Sequence, residues 1–186
     1  MPIPTLVTER LILRGVTEAD AESYERHFVD YEVIRHLSAD VPWPYPADGV
    51  RNFIREAILP AQGHDRWVWG LHRKDADGMI GQIDLRRHGT RKNRGFWLGR
   101  AFWGRGYMTE AVSRVNDFAF DELGFERLLF ANAVGNEASR KIKLKTGARF
   151  IGVAPGTFVD AAYTQQEMWE LTKEQWLAWR QHRRLG

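Results

Sequence analysis

Gly99-Arg100-Ala101-Phe102-Trp103-Gly104-Arg105-Gly106-Tyr107-Met108-Thr109-Glu110-Ala111 is the stretch that decides the fold. Ahead of the two glycines, Gly95 to Leu98 with its flanks is strand-like. Behind them, apolar residues fall at Met108, Ala111, Val112, Val115, Phe118, Ala119 and Leu123. That is the stripe of a helix with one buried face, and Gly124 stands where a C-terminal cap belongs. Near-adjacent glycines between a strand and a helix let the backbone turn sharply with no Cβ in the way. The first N–H groups of the helix lack partners and carry the positive end of its dipole. Such a loop either binds phosphate oxygens, with Arg105 adding charge, or is only a tight turn. It is no P-loop, since Gly-x-x-x-x-Gly-Lys-Ser/Thr is absent. Thr109 replaces the third glycine of a dinucleotide fingerprint.

Upstream, Arg66–His72, Met79–Leu85 and Gly95–Leu98 read as three strands of an antiparallel meander. Lys74-Asp75-Ala76-Asp77-Gly78 turns the first pair and a basic loop, Arg86 to Arg94, turns the second. Leu6 to Arg14 reads as the first strand, and Thr17-x-x-Asp20 opens a helix running to about Phe28. Three prolines exclude Val41 to Pro46 from regular structure. From Ala47 a helix carries Val50, Phe53, Ile54, Ala57 and Ile58 on one face. Downstream come a strand at Arg127–Ala133, a helix at Asn136–Thr146 and strands near Phe150–Val153 and Tyr163–Leu171. Thr172-x-x-Gln175 opens a last helix with Trp176 and Trp179 on one face. There are no repeats or linkers, so residues 1–186 read as one α+β domain.

The 186 residues hold 27 Lys+Arg against 24 Asp+Glu, a net charge of +3. Basic residues mostly alternate with acidic ones, apart from Arg86–Arg94 and Arg140–Lys145. Two short clusters suit a polyanionic small molecule at least as well as DNA or RNA, so nucleic acid is not the expected partner. With no cysteine, a disulfide framework, a Cys-based metal site and a thioester-forming nucleophile are all excluded. The start, Met1-Pro2-Ile3-Pro4-Thr5, is no signal peptide, and no apolar run reaches a membrane-spanning length. The expectation is a cytoplasmic protein.

The loop stretch resembles the acetyl-CoA pyrophosphate loop of the GNAT N-acetyltransferase superfamily. Asn136-x-x-Ser139 with Lys145-Thr146-Gly147-Ala148-Arg149-Phe150 is similar to that family's second signature. Thr8-Glu9-Arg10-Leu11-Ile12-Leu13-Arg14, Pro42-Trp43-Pro44-Tyr45 and Met168-Trp169-Glu170-Leu171 resemble the ribosomal-protein N-terminal (RimJ/RimL-like) branch. The resemblance spans nearly the whole chain. It implies a mixed, splayed β-sheet of about seven strands flanked by helices. Acetyl-CoA is then the co-substrate, held at Leu98, Gly99 and Arg100 and at Phe102, Trp103, Gly104, Arg105, Gly106, Tyr107, Met108 and Thr109. Asn136, Ser139 and Lys145 complete that set, and no metal is implied. The chain departs from the family at three places. Ala101 stands where Gln or Arg is usual in the loop, and Lys143 where many members carry a Tyr general acid. No carboxylate falls near Arg94 or Gly95.

The reaction so implied moves an acetyl group to a primary amine by direct attack in a ternary complex, since no cysteine can carry it. The resemblance makes Ser139 the group that protonates the CoA thiolate; otherwise it is a polar residue of a helix's first turn. Asn136 caps that helix, holds the pantetheine amides, or does both. The Arg140–Lys145 run meets the 3′-phosphate of CoA or is a solvated helix face. Asp84, on one strand face with Gln82, is the best carboxylate for a base, or else an exposed Asp without a role. His36, His64, His72 and His88 have no spacing that singles one out. Trp43, Tyr45, Trp67 and Trp69 wall an acceptor pocket or lie in the core. The acceptor is a protein N-terminus or a small amine, and the chain is a monomer or homodimer. The competing readings are a non-catalytic CoA-binding module and a ribosome-associated regulatory factor.

Overall fold

The computed structural model describes residues 3–64, 66–87 and 92–185. Residues 88–91 of the basic loop, His88 among them, lie outside the described residues. The first strand is a hairpin, β1 (Leu6–Val7) and β2 (Leu11–Gly15). Thr8 forces the turn: its N–H donates to Leu11 O (3.0 Å) while its Oγ1 accepts from Leu11 N–H (2.9 Å). Leu6 and Leu13 then lie opposite each other, both buried.

The capping residue Asp20 ends a short 3-10 turn, Glu18–Asp20, before α1 (Ala21–Phe28). Its Oδ2 accepts from both the N–H (2.9 Å) and the hydroxyl (3.0 Å) of Thr17. After α2 (Tyr31–Ile34), α3 (Gly49–Phe53) runs on into a wide π turn, Ile54–Ile58. Val50, Ile54 and Ile58 of the expected stripe are buried.

The meander is β3 (Arg66–Arg73), β4 (Met79–Arg86) and β5 (Arg94–Leu98). α4 (Tyr107–Asp117) continues as a π turn, Phe118–Glu122, that keeps Phe118, Ala119 and Phe120 buried. Gly124, at φ +70°, stands just beyond Leu123, as expected of a cap. β6 (Arg127–Ala133), α5 (Glu137–Lys145), β7 (Arg149–Pro155), β8 (Gln165–Thr172) and α6 (Lys173–Leu185) complete the chain.

Among the described residues the strands thus number eight, in two sheets ordered β1-β2-β3-β4-β5 and β6-β8-β7. Every ladder is antiparallel among the described residues. Both faces of the larger sheet are covered. Trp67, Trp69, Leu71, Ile83 and Leu85 pack with Met108, Ala111, Val112 and Val115 of α4. Val68 and Trp97 point the other way, into a second core with Tyr24, Phe28, Val50 and Ile54. Each fully buried large apolar side chain contributes about 1.5–3 kcal/mol. Trp67 and Trp69 are therefore core residues, not pocket walls.

Trp176 and Trp179 stack at 4.7 Å, and Trp176 Nε1 donates to Asp117 Oδ1 (3.0 Å), so α6 packs onto its own domain. Its capping box forms, with Thr172 N–H donating to Gln175 Oε1 (2.8 Å) and Gln175 N–H to Thr172 Oγ1 (3.2 Å). Among the described residues no helix is long and apolar enough to cross a membrane.

Candidate active site

Among the described residues the two sheets hydrogen-bond to each other at one place, where β5 begins beside β6, and then part. Asn93 N–H donates to Leu129 O (2.7 Å), and Leu129 N–H donates back to Asn93 Oδ1 (2.8 Å). Beyond that contact β5 and β6 share no ladder among the described residues, and a gap opens between them. Gly99 N–H donates to Ile80 O (2.9 Å) and Arg86 N–H to Asn93 O (2.6 Å), which sets the alternation along β5. Residues 95 and 97 turn their backbone groups toward β4; Phe96 and Leu98 turn theirs into the gap. Trp103 Nε1 donates to Leu98 O (2.7 Å), tying the loop back to the strand end.

At the gap's open end both loop glycines are left-handed, Gly104 at φ +73° and Gly106 at φ +80°. Gly106 is the N-cap of α4, and the bond from Glu110 N–H to Gly106 O (3.0 Å) leaves the N–H groups of Tyr107, Met108 and Thr109 at the helix start. The β1–β2 turn latches this loop. Arg10 Nη1 donates to Arg105 O (2.9 Å), Arg10 Nε to Glu110 Oε2 (2.7 Å), and its guanidinium lies 4.5 Å from the Tyr107 ring centre. Thr8 Oγ1 (2.5 Å) and Arg10 N–H (2.8 Å) both donate to Glu110 Oε1. Arg100 pairs with Asp30 at 3.2 Å.

α5 walls the gap from one side. Asn136 caps it, its Oδ1 accepting from Ser139 N–H (3.1 Å). Ser139 is 8% exposed, and its Oγ accepts from Lys143 Nζ (2.7 Å). Lys143 is 1% exposed, with Nζ 5.7 Å from the Phe96 ring centre. Burial first, then the neighbouring Arg94 charge, pushes its ammonium well below the usual lysine range, against the pull of Glu167. Arg94 is buried over the Phe130 ring at 3.9 Å, its Nη1 on Asn116 Oδ1 (2.5 Å). Among the described residues its Nε and Nη2 lack partners, as does Asn132 Oδ1. Glu167 is shared between Arg140 and Asn132 Nδ2 (3.0 Å).

The Arg140–Lys145 run is thus not one solvated face. Lys143 turns inward, Arg140 binds Glu167, and Lys145 stays exposed.

Asp84 is not the exposed carboxylate that is one of its two expected states. At 4% exposure its Oδ2 accepts from Arg66 Nε (3.2 Å) and Arg86 Nε (3.0 Å). Its Oδ1 lies 2.6 Å from where a Cβ on Gly95 would sit, so only glycine fits at 95. Asp84 and Gln82 face the α1 side with Trp97, whereas Ser139, Lys143 and Arg94 lie on the α4 and α5 side. The two candidate catalytic residues occupy opposite faces.

On the face of β8 away from Glu167, an open groove of about 520 Å³ is lined by Ser38, Lys92, Thr157, Thr164 and Gln166 among others. Trp43, exposed, rests on Tyr31 at 5.4 Å, and Tyr45 rests on Phe28 at 5.4 Å. His36 lies against Tyr163, His72 is 3.7 Å from Asp20, and His64 is exposed. No three metal-ligating side chains cluster among the described residues.

Asn93 and Arg94 read in the sequence only as the end of a basic loop, and Lys143 only as a departure from the Tyr position and as part of a basic run. A buried amide and two buried cations carry no periodic signal.

The donors and openings suit acetyl-CoA. A strand edge faces the gap for pantetheine, and left-handed glycines with a helix N-terminus suit pyrophosphate. Buried unpartnered polar atoms line the wall between them. Comparisons agree. The acetyltransferase (GNAT) domain family matches residues 10–149. The chain is 31% identical over 162 residues to YoaA of Bacillus subtilis, an uncharacterized N-acetyltransferase, covering 81% of this chain and 85% of that one. It is 31% identical over 100 residues to YdaF of Bacillus subtilis, named as a candidate ribosomal N-acetyltransferase, covering 53% of this chain and 55% of that one. The RimL ribosomal L7/L12 α-N-protein acetyltransferase, solved with coenzyme A, shares the fold at a TM-score of 0.77 and 16% identity, covering 91% of this chain and 98% of that one. The chain belongs to the GNAT family and is an acetyltransferase.

Proposed function

We propose that this cytoplasmic enzyme acetylates the N-terminal amine of a protein, using acetyl-CoA bound in the gap between β5 and β6. The observation that carries the reading is that Ser139 and an open groove lie on opposite sides of the strands. Ser139 and Lys143 are buried on the α5 side, and the groove lies on the face of β8 away from Glu167. Two substrates entering from opposite sides meet in line, which supplies most of the effect through proximity. An open groove of about 520 Å³ beside the ends of β7 and β8 suits an extended chain better than a small enclosed amine.

The parts are assigned as follows. Backbone groups of Phe96 and Leu98 hold the pantetheine and polarise the thioester carbonyl. The loop from Gly104 to Thr109 holds the pyrophosphate. Ser139 gives its proton to the departing sulfur. Asp84 acts as a fixed anion on the acceptor side rather than as the base, because protonating it would leave Arg66 and Arg86 unpaired. The amine sheds its proton to solvent through the groove.

Thermal unfolding with saturating acetyl-CoA tests the cofactor. At a hundredfold excess over Kd, linkage stabilises by about 2.7 kcal/mol, a rise of roughly 5–11 °C at this chain length. No shift overturns the reading. Binding without turnover of any peptide or small amine would favour the non-catalytic module, and turnover of small amines alone would displace the protein N-terminus.

A further inference from the structure

We infer that Lys143 is a positioning residue for the transfer: it holds Ser139 as proton donor, resupplies its proton and favours the negative charge that develops on the CoA sulfur. The inference rests on the acetyl-CoA reading above and deepens it. Three observations carry it. Lys143 Nζ donates to Ser139 Oγ at 2.7 Å, which turns the hydroxyl's own proton away from the lysine. The ammonium is 1% exposed and reaches from α5 to the Phe96 ring on the strand that borders the gap. The charged groups facing it are Arg94 from β5 and Glu167 from β8, and Arg140 of α5 already binds Glu167.

Among the described residues Arg94 and Lys143 are therefore two buried basic groups beside one shared carboxylate. Buried positive charge in excess is costly unless an anion forms next to it. Acetyl transfer forms one. As the amine nitrogen bonds to the thioester carbon, the C–S bond breaks and its electron pair goes to sulfur. The Ser139 hydroxyl proton moves to that sulfur, and a Lys143 Nζ proton moves to the Ser139 oxygen. The amine's surplus proton leaves to solvent, and Lys143 takes one back before the next turnover. Burial and the Arg94 charge favour the neutral amine that this transfer leaves on Lys143.

The test uses bound coenzyme A and needs no acceptor. The chain has no cysteine, so the thiol of the complex is coenzyme A's, and subtracting the titration of the protein alone removes the tyrosinate absorbance from its ultraviolet thiolate signal. In the intact protein the bound thiol is expected to ionise at a pH lower by about one or more than free coenzyme A. Lys143→Met, which keeps the length of the chain, is expected to abolish that shift while coenzyme A still binds. An unshifted thiol in the intact protein overturns the inference, whether or not the variant folds, and so does a shift retained in Lys143→Met. In turnover, Lys143→Met should lower kcat by about 10²-fold with KM for acetyl-CoA within about threefold. The Lys143→Met/Ser139→Ala double variant should fall no further than the worse single one, since both act on one proton path. An additive loss overturns the path. Failure of the cofactor reading would show instead as no binding of coenzyme A to the intact protein.

Discussion

Asn93 and Leu129 bond each other twice, main chain to main chain and main chain to side chain, at the point where the two sheets diverge. The Asn93 carboxamide thus satisfies the one Leu129 N–H that a continuous ladder would have paired. Its Nδ2 donates to Arg86 O (3.1 Å), so the same side chain also braces β4. Asn93→Ala should leave a buried N–H unsatisfied and cost about 1–3 kcal/mol. Asn93→Asp keeps the acceptor for Leu129 N–H but sets a carboxylate oxygen against Arg86 O, so it too should destabilise. Chemical denaturation measures this, and an Asn93→Ala variant as stable as the parent would refute the hinge.

Gly106 sits at φ +80° as the N-cap of α4, and a built Cβ would meet nothing closer than Arg10 Nη2 at 3.4 Å. Space is therefore available, but a β-branched residue is strained in that conformation by about 1–2 kcal/mol. Gly106→Val should keep the fold and lose the thermal shift with acetyl-CoA, because the loop must reshape. Unchanged affinity in calorimetry would remove the loop from the pyrophosphate site.

Ser139→Ala removes the hydroxyl without touching the Asn136 cap, which uses the Ser139 N–H. kcat should fall by about 10²-fold while KM for acetyl-CoA stays nearly constant, the pattern of a group acting in the transition state. Steady-state kinetics with kcat unchanged would take Ser139 out of the mechanism.

The latch at Glu110 predicts an acid response. Burial alone would raise its carboxyl, but the Thr8 hydroxyl, the Arg10 N–H and the Arg10 guanidinium together hold it below the ordinary glutamate value. A carboxyl depressed by folding contributes stability above its unfolded value of about 4.3 and loses that contribution as pH falls through its folded value. Glu110→Gln should therefore lower stability by about 1 kcal/mol or less at pH 7. The difference from the parent should shrink as pH falls below the unfolded value of about 4.3 and close below the folded one. Calorimetry across pH 3–7 reads this, and a gap that persists at low pH would rule out the charge as its cause.

The sequence by itself determined the elements and the loop. The stripe from Met108 to Phe118, the glycine pair at 104 and 106 and the Thr172–Gln175 box are local signals, set by side-chain period, by φ and by caps three residues apart. Burial follows from the same period, which is why Val50, Ile54 and Ile58 were legible as an inward face. Only the tertiary structure decided where the sheet splits. The Thr8 turn makes two strands of one, and the Asn93–Leu129 contact joins residues 36 apart with no periodic trace in either. It also decided which charges face inward. Within the run Arg140 to Lys145, helical geometry allows any of the cations to be solvated. Packing of α5 against Phe96 selects Lys143 for burial, and the hydroxyl four residues earlier gives its ammonium a partner there.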